Sequence, residues 1–346
     1  MGQSRTDTGA DRAGDVGPVR HDSPVRTDQP APLAASGSST RQVVVPFVPQ
    51  LGRVLSAFRH GGHDPTARRS ADGACWRATR TPEGPVTLRV VAVGQAITGQ
   101  AWGPGASWQL DALPALVGCQ DDLSTFEPGP LSLLARTFEG PRLGRTGLVW
   151  DSLVPAVLEQ KVTGIQAFAS YRRLLRRFGE PAPGPGAALG LVVPPPPEIW
   201  QSVPGHDFHQ AGVGPQRRDA IRAAAIIGHR LGSLGLGADG LPADGVEASA
   251  RLDVALRSVP GLGVWTSAEI RQRVLGDPDA VSVGDAHIPH IVGAGLAGRR
   301  VDDAGMLELL APWRGHRHRV TVLLAMGGPA PERFGPRYAP IDFRCF

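Results

Sequence analysis

The sequence predicts an α+β protein, a small N-terminal α/β domain followed by a mostly α-helical region with a cleft. Three observations carry the prediction. Residues 41–102 hold short runs rich in Val, Thr and Ala, broken by Gly and Pro, which is the composition of strands and turns. From about Ser132 onward, apolar residues recur at helical spacing almost throughout. Between two helix-length segments sits a tight hairpin, Val259-Pro260-Gly261-Leu262-Gly263, and a short apolar strip then leads to Asp285.

Size and composition narrow the class. A chain of 346 residues is long enough to bury a large core and to form two or three domains. Its hydrophobic fraction of 41% is ordinary, and no run resembles a membrane span. The opening MGQSRTDTGADRAGDVGPVRHD lacks the apolar centre of a secretory signal, so a cytoplasmic location is expected. Cys75, Cys119 and Cys345 are too widely separated for a zinc set or an iron–sulfur framework, and no cofactor is expected. Nothing indicates an obligate dimer, and a monomer is expected. The formal charge is +4; residues 1–40 hold four Arg against five Asp, so the remainder carries the positive excess. Lys161 is the only lysine. An arginine-rich balance suits phosphate recognition but does not diagnose it.

Taken in order, residues 1–40 combine Ser, Gly, Asp, Arg and Pro without periodicity and are expected to form a disordered tail. The N-terminal α/β domain is assigned to 41–125. Arg41–Val48 reads as a strand, and Leu51, Val54, Leu55 and Phe58 mark a helix ended by Gly61-Gly62. Ala74–Arg80 and Val86–Val93 read as a hairpin across Thr81–Pro85, and Gln95–Trp102 adds a strand. The helical region is assigned to 126–330, with loops near 181–198 and 232–245, and 331–346 to a C-terminal tail. Ser152 is expected to cap a helix with Pro155 in its first turn. Ile165, Phe168, Leu175 and Phe178 mark the next, with Arg172, Arg173, Arg176 and Arg177 on its wet side. Further helices are expected at Gln216–Leu231, from Asp285 to about Leu296, near Asp303–Leu310 and near Trp313–Met326.

The hairpin carries the chemistry. Its glycines allow a sharp turn and leave no side chain in the way of a ligand. A helix opens at about Val264, so its first main-chain N–H groups lack partners and suit a phosphate oxygen. A phosphate clamp followed by a lone acid, Asp285, is the strongest signal in the chain.

At these residues the sequence resembles a known family. VPGLGVWTSAEI and VSVGDAHI are similar to the helix-hairpin-helix DNA glycosylase superfamily, most of all its bacterial 3-methyladenine DNA glycosylase II branch. The upstream LVWDSLVPAVLEQKVTGIQAFASYRRLLRRFG and the downstream LAPWRGHRHRVTVLLA extend the resemblance over roughly Thr137–Gly328. It implies that Val259, Gly261, Gly263 and Thr266 hold DNA phosphate, with a monovalent cation, Na+ or K+, beside the Val259–Gly263 backbone. It implies that Asp285 is the catalytic aspartate. Trp265 stands where strand-cutting relatives carry a nucleophilic lysine, so the implied enzyme releases the base without cutting the strand. The implied partner is double-stranded DNA bearing alkylated bases, and the protein would associate with the nucleoid. Alkylated purines are cationic leaving groups, so the chemical demand falls on a carboxylate that stabilises the sugar cation and on an aromatic wall, Trp265, that stacks on the flipped base. Val322 lies near where the family places a second aromatic wall, which implies a wider or differently lined pocket.

Other readings of the same residues stand beside these. Asp285 is also suited to a helix N-cap, Trp265 to the core, and the hairpin to a plain interhelical turn. His287 and His290 have a metal-compatible spacing but no further ligand run. His316, Arg317, His318 and Arg319 read as a solvated face, or less often as phosphate contacts. A non-catalytic DNA-binding protein, or a glycosylase for oxidised or deaminated bases, remains an alternative.

Overall fold

A computed structural model describes residues 37–330 except Glu139 and Pro141. The tail expected at 331–346, and all but the last four residues of the tail expected at 1–40, lie outside them. Five antiparallel strands, β1 (Ser38–Val44), β2 (Ala67–Arg69), β3 (Cys75–Thr81), β4 (Gly84–Val93) and β5 (Ala96–Trp102), form a sheet of order β1-β5-β4-β3-β2. Strand β1 starts inside the stretch read as tail. Ser38, Ser39 and Thr40 pair with Trp102, Ala101 and Gln100, and main-chain pairing needs no apolar side chains.

Alternation along β4 buries Val86, Leu88 and Val90 on one face, under α1 (Leu51–Val54) and its 3-10 continuation Leu55–Phe58, and α2 (Ala106–Asp111). The opposite face carries Trp76 and Trp102, stacked at 5.7 Å. A two-stranded ribbon, β6 (Glu180–Pro181) with β7 (Val192–Val193), covers them together with Ala182 and Leu191. The Pro/Gly-rich stretch expected to be a loop is therefore packed cover for the sheet.

The helical region departs from expectation at its start. Helix α3 spans Val149–Leu158, one turn earlier than expected, so Ser152 is buried within it and Pro155 lies in its interior. Thr146 Oγ1 accepts from Leu148 N and fixes that earlier start. Asp151, buried in the first turn, accepts from Arg77 Nη2 at 2.8 Å and from Thr79 Oγ1, tying α3 to β3. Helix α4 (Gly164–Phe178) opens with a Thr163–Gln166 capping box. The single helix expected at Gln216–Leu231 is two, α5 (Pro215–Ile226) and the short Gly228–Ser233. A Cβ on Gly228 would lie 2.4 Å from Pro197 Cβ, so close backbone approach marks the break. Helices α6 (Gly245–Arg257) and α7 (Val264–Val274) flank the hairpin and share one core with α3, α4 and α5. Three more, α8 (Ile288–Ala297), α9 (Asp303–Leu310) and α10 (Arg317–Gly327), close on Val292, Met306, Leu310, Val320, Leu323 and Leu324.

The run at 316–319 is not a solvated face. Arg319 is fully buried and bidentate to Asp121, both contacts 2.6 Å. Its Nε donates to Nδ1 of the buried His316, whose Nε2 lies 2.9 Å from Thr125 Oγ1. Arg317 pairs with Asp279. Among the described residues no helix is long and apolar enough to cross a membrane.

Candidate active site

The hairpin is held from below by Val259 and Leu262, both buried, while Pro260, Gly261 and Gly263 face solvent. Gly261 is required twice over: its φ is +87°, and an added Cβ would sit 2.8 Å from Ala220 Cβ. Gly263 differs. Its φ is −93° and a Cβ there would meet nothing within 4 Å, so its value is an open surface and not a special backbone angle. As N-cap of α7 it has no capping side chain, and its carbonyl accepts from Ser267 N. The N–H groups of Val264, Trp265 and Thr266 are therefore the unpaired donors of the first turn.

Thr266 contributes only through that backbone. Its side chain is buried and its Oγ1 accepts from Gln160 Nε2 at 2.9 Å. The same Gln160 amide donates to Gly261 O at 2.9 Å, so one residue after α3 fixes the hairpin from outside. The adjacent Lys161 is exposed and, at φ +55°, is the one non-glycine residue with positive φ among those described. The carbonyls of Val259 and Gly261 accept from Leu262 N and Gln160 Nε2, and each keeps a second lone pair. That donor set fits a monovalent cation.

Asp285 and Trp265 come together. Trp265 Nε1 donates to Asp285 Oδ2 at 3.0 Å, and both residues are half-buried. Oδ1 accepts from the N–H groups of His287 (2.7 Å) and Ile288 (3.0 Å). The acid thus precedes α8, which starts at Ile288, and binds its first N–H groups while its other oxygen holds the indole. Gly284, at φ +90°, makes the turn that delivers it. The spacing of 20 between the two residues is bridged by Glu269, one turn beyond Trp265 on the same face of α7. Ser282 Oγ donates to Glu269 Oε1 and accepts from Gln272 Nε2, which lashes the strip before Asp285 along α7.

Two turns beyond Trp265, this face borders a cavity of about 250 Å³ lined by Gln272 and Arg273 of α7, His318 and Val322 of α10, and Phe47 and Phe138. Val322 is among its lining residues, and its aromatic surface is that of Phe47 and Phe138, neither of which belongs to the motif. Arg53 lies over the Phe138 ring at 4.7 Å and Arg142 over the Phe47 ring at 4.3 Å. Arg273 pairs with Glu269 at 2.7 Å and donates to Ala57 O at 3.0 Å. Burial of the imidazole pushes His318 down to about 4, so the ring is neutral near pH 7.

His287 and His290 converge on no metal set: His287 is exposed and His290 Nε2 contacts Arg300 Nη2 at 2.6 Å. Among the described residues no three of His, Cys, Asp and Glu are grouped to hold a metal ion. Of the arginines at 172–177, Arg177 pairs with Asp207 and Arg173 donates to Ala211 O.

No family model matches the chain. A probable bifunctional transcriptional activator/DNA repair enzyme AlkA of Mycobacterium tuberculosis is 31% identical over 147 residues, 42% of this chain and 27% of that protein. The chain thus spans about a quarter of the length of the curated relatives it matches. A 3-methyladenine DNA-glycosylase from Archaeoglobus fulgidus superposes with a TM-score of 0.66 at 17% identity, over 82% of this chain and 97% of the other. An 8-oxoguanine glycosylase/lyase from Clostridium acetobutylicum reaches 0.56 at 12% identity, over 80% and 91%. The antiparallel sheet and the mainly helical region after it thus form the fold that these solved glycosylases share.

Proposed function

We propose that this protein is a monofunctional DNA glycosylase that excises alkylated purines, of the 3-methyladenine or 7-methylguanine type, from duplex DNA. The observation that carries the reading is the junction of Trp265 with Asp285 on the helix whose open N-terminus adjoins the glycine hairpin. The hairpin and first-turn N–H groups take a phosphate, and the Val259 and Gly261 carbonyls would hold a monovalent cation that adds positive charge there. The lesion leaves the duplex, stacks on Trp265, and extends along α7. A cationic purine departs with the bonding electrons of C1′–N, and the Asp285 carboxylate stabilises the sugar cation left behind. Water then adds to C1′ and loses a proton, leaving an abasic site.

The reading is tested by incubating methylated duplex DNA with wild type and Asp285→Asn and measuring free base. Release by the first and near-loss by the second, with duplex binding kept, is expected. The chain has one lysine, at 161, and Trp265 cannot form a Schiff base. Borohydride trapping on abasic DNA is accordingly expected to give no covalent adduct through α7. One observation favours a second reading, a non-catalytic binder: Asp285 Oδ1 serves the start of α8 as a structural cap would. Binding by both proteins without base release would select it.

A further inference from the structure

The strip that delivers Asp285 faces two ways. Val281 and Val283 pack against the core of α8, α9 and α10, while Ser282, buried between them, points back to α7. Its Oγ donates to Glu269 Oε1 and accepts from Gln272 Nε2 at 2.9 Å, and the same amide donates to Ala280 O at 2.8 Å. Packing alone would be met by an alanine at 282. Instead α7 turns toward the strip a carboxylate that is only 13% exposed, and Arg273 Nη1 pairs with its second oxygen at 2.7 Å. A largely buried ion pair contributes little net stability, because desolvation offsets the attraction. What the pair fixes here is the course of the chain before the acid. Asp285 N donates to Ser282 O at 3.2 Å across the turn at Gly284, whose own N–H donates to Asp303 Oδ1 at 3.0 Å.

Asp285 is thus joined to α7 by two routes. The direct one is the indole, Trp265 Nε1 to Oδ2 at 3.0 Å, between half-buried residues. The other runs from Glu269, one turn beyond Trp265, through the buried Ser282 to the Asp285 backbone. We propose that Glu269, acting through Ser282, is a positioning residue for base release: it sets the depth of the Asp285 carboxylate against the Trp265 face, in parallel with the indole. This rests on the glycosylase reading above and adds a role to it. Neither Glu269 nor Ser282 touches the substrate in this role. A base stacking on Trp265 displaces the indole, and the direct bond alone would let the acid move with it. The route through Ser282 is anchored in the backbone and holds. Misplacing a catalytic group by about 1 Å costs up to about 10²-fold in rate. Two restraints on one group therefore cost more when lost together than the product of their single losses.

The experiment measures single-turnover release of bases from methylated duplex DNA at saturating enzyme, with duplex affinity by anisotropy and stability by urea unfolding. Ser282→Ala keeps the Glu269–Arg273 pair and removes the tie. Its rate is expected to fall about 10-fold, with affinity within about 2-fold of wild type. Glu269→Gln is expected to stay within about 3-fold of the wild-type rate, since either end of the amide can hydrogen-bond Ser282 Oγ. Thr87→Val removes a hydrogen bond of a buried hydroxyl in the sheet, Thr87 Oγ1 to Pro183 O at 2.7 Å, and is expected to lose similar stability at full rate. Trp265→Phe alone is expected to lose about 10-fold, and Ser282→Ala with Trp265→Phe about 10³-fold, beyond the product of the two. Ser282→Ala at the wild-type rate, or a rate loss that Thr87→Val shares, overturns the positioning role while leaving the glycosylase reading intact. Single losses that simply multiply overturn the parallel arrangement. Release of no base by wild type overturns the glycosylase reading and this inference with it.

Discussion

Asp285→Asn changes one atom's chemistry at constant shape. In the wild type both carboxylate oxygens are occupied, Oδ1 by the N–H groups of His287 and Ile288 and Oδ2 by Trp265 Nε1. Asparagine has one acceptor. If it stays on the backbone N–H groups, its amide turns N–H against the indole N–H, and the link to Trp265 is lost. The stability cost is that of an unmade hydrogen bond, about 1–3 kcal/mol, below the roughly 5–15 kcal/mol that keeps a domain folded. The catalytic cost is larger. A carboxylate about 4 Å from a sugar cation contributes about 4 kcal/mol at an effective dielectric near 20, which is about 10³-fold in rate. Single-turnover release of methylated bases should fall by about that factor, with duplex affinity nearly unchanged in a fluorescence anisotropy titration. Trp265→Phe keeps an aromatic face and the carboxylate but removes the tether, and should lose about 10-fold. Asp285→Asn retaining more than about a tenth of the wild-type rate would refute the electrostatic reasoning and leave the residue a helix cap.

Other perturbations separate the roles of neighbouring residues. Gly261→Ala puts a Cβ on a backbone at φ +87° and 2.8 Å from Ala220 Cβ, and should cost about 2 kcal/mol or more in urea unfolding. Gly263→Arg meets open space, so stability should change by less than about 0.5 kcal/mol. Its affinity for damaged and undamaged duplexes should fall alike, and loss on one lesion alone would contradict a phosphate role. Asp121→Ala removes the carboxylate that faces the fully buried Arg319 and should destabilise by about 3–5 kcal/mol. For His318 the folded value of about 4 lies below the 6.5 of an unconstrained imidazole, so between them the unfolded chain binds the extra proton. Its contribution to stability is therefore whole above 6.5 and is lost as pH falls toward 4, by up to about 3 kcal/mol. His318→Leu should lessen the drop in urea midpoint between those pH values, and an unchanged drop would place the ring in water.

The motif was legible because its requirements are local. A turn with positive φ at Gly261, an uncapped helix after it and an acid leading into the next helix are all written within one stretch. Long-range pairing was not legible. Arg319 sits in a run of four cationic or titratable side chains that looks like surface, yet it shares the buried face of α10 with Val320, Leu323 and Leu324. That periodicity was available; its partner Asp121 was not, because nothing local ties residues so far apart. The same holds for Gln160, whose amide supports the hairpin from across the fold, and for Phe47 and Phe138 at the cavity. The early start of α3 was masked by Pro155, whose preference for a first turn yielded to the buried Asp151–Arg77 pair.

Lys161 gives the molecule an experimental handle. It is the sole lysine side chain, exposed, and one residue from the Gln160 amide that braces the hairpin. An amine-directed crosslinker or dye will therefore mark a single internal position, next to the element on which DNA would rest. Whatever strand is captured there reports docking orientation from the unmodified chain, with no cysteine engineering and no second lysine to compete, the N-terminal α-amine being the one other group to control for.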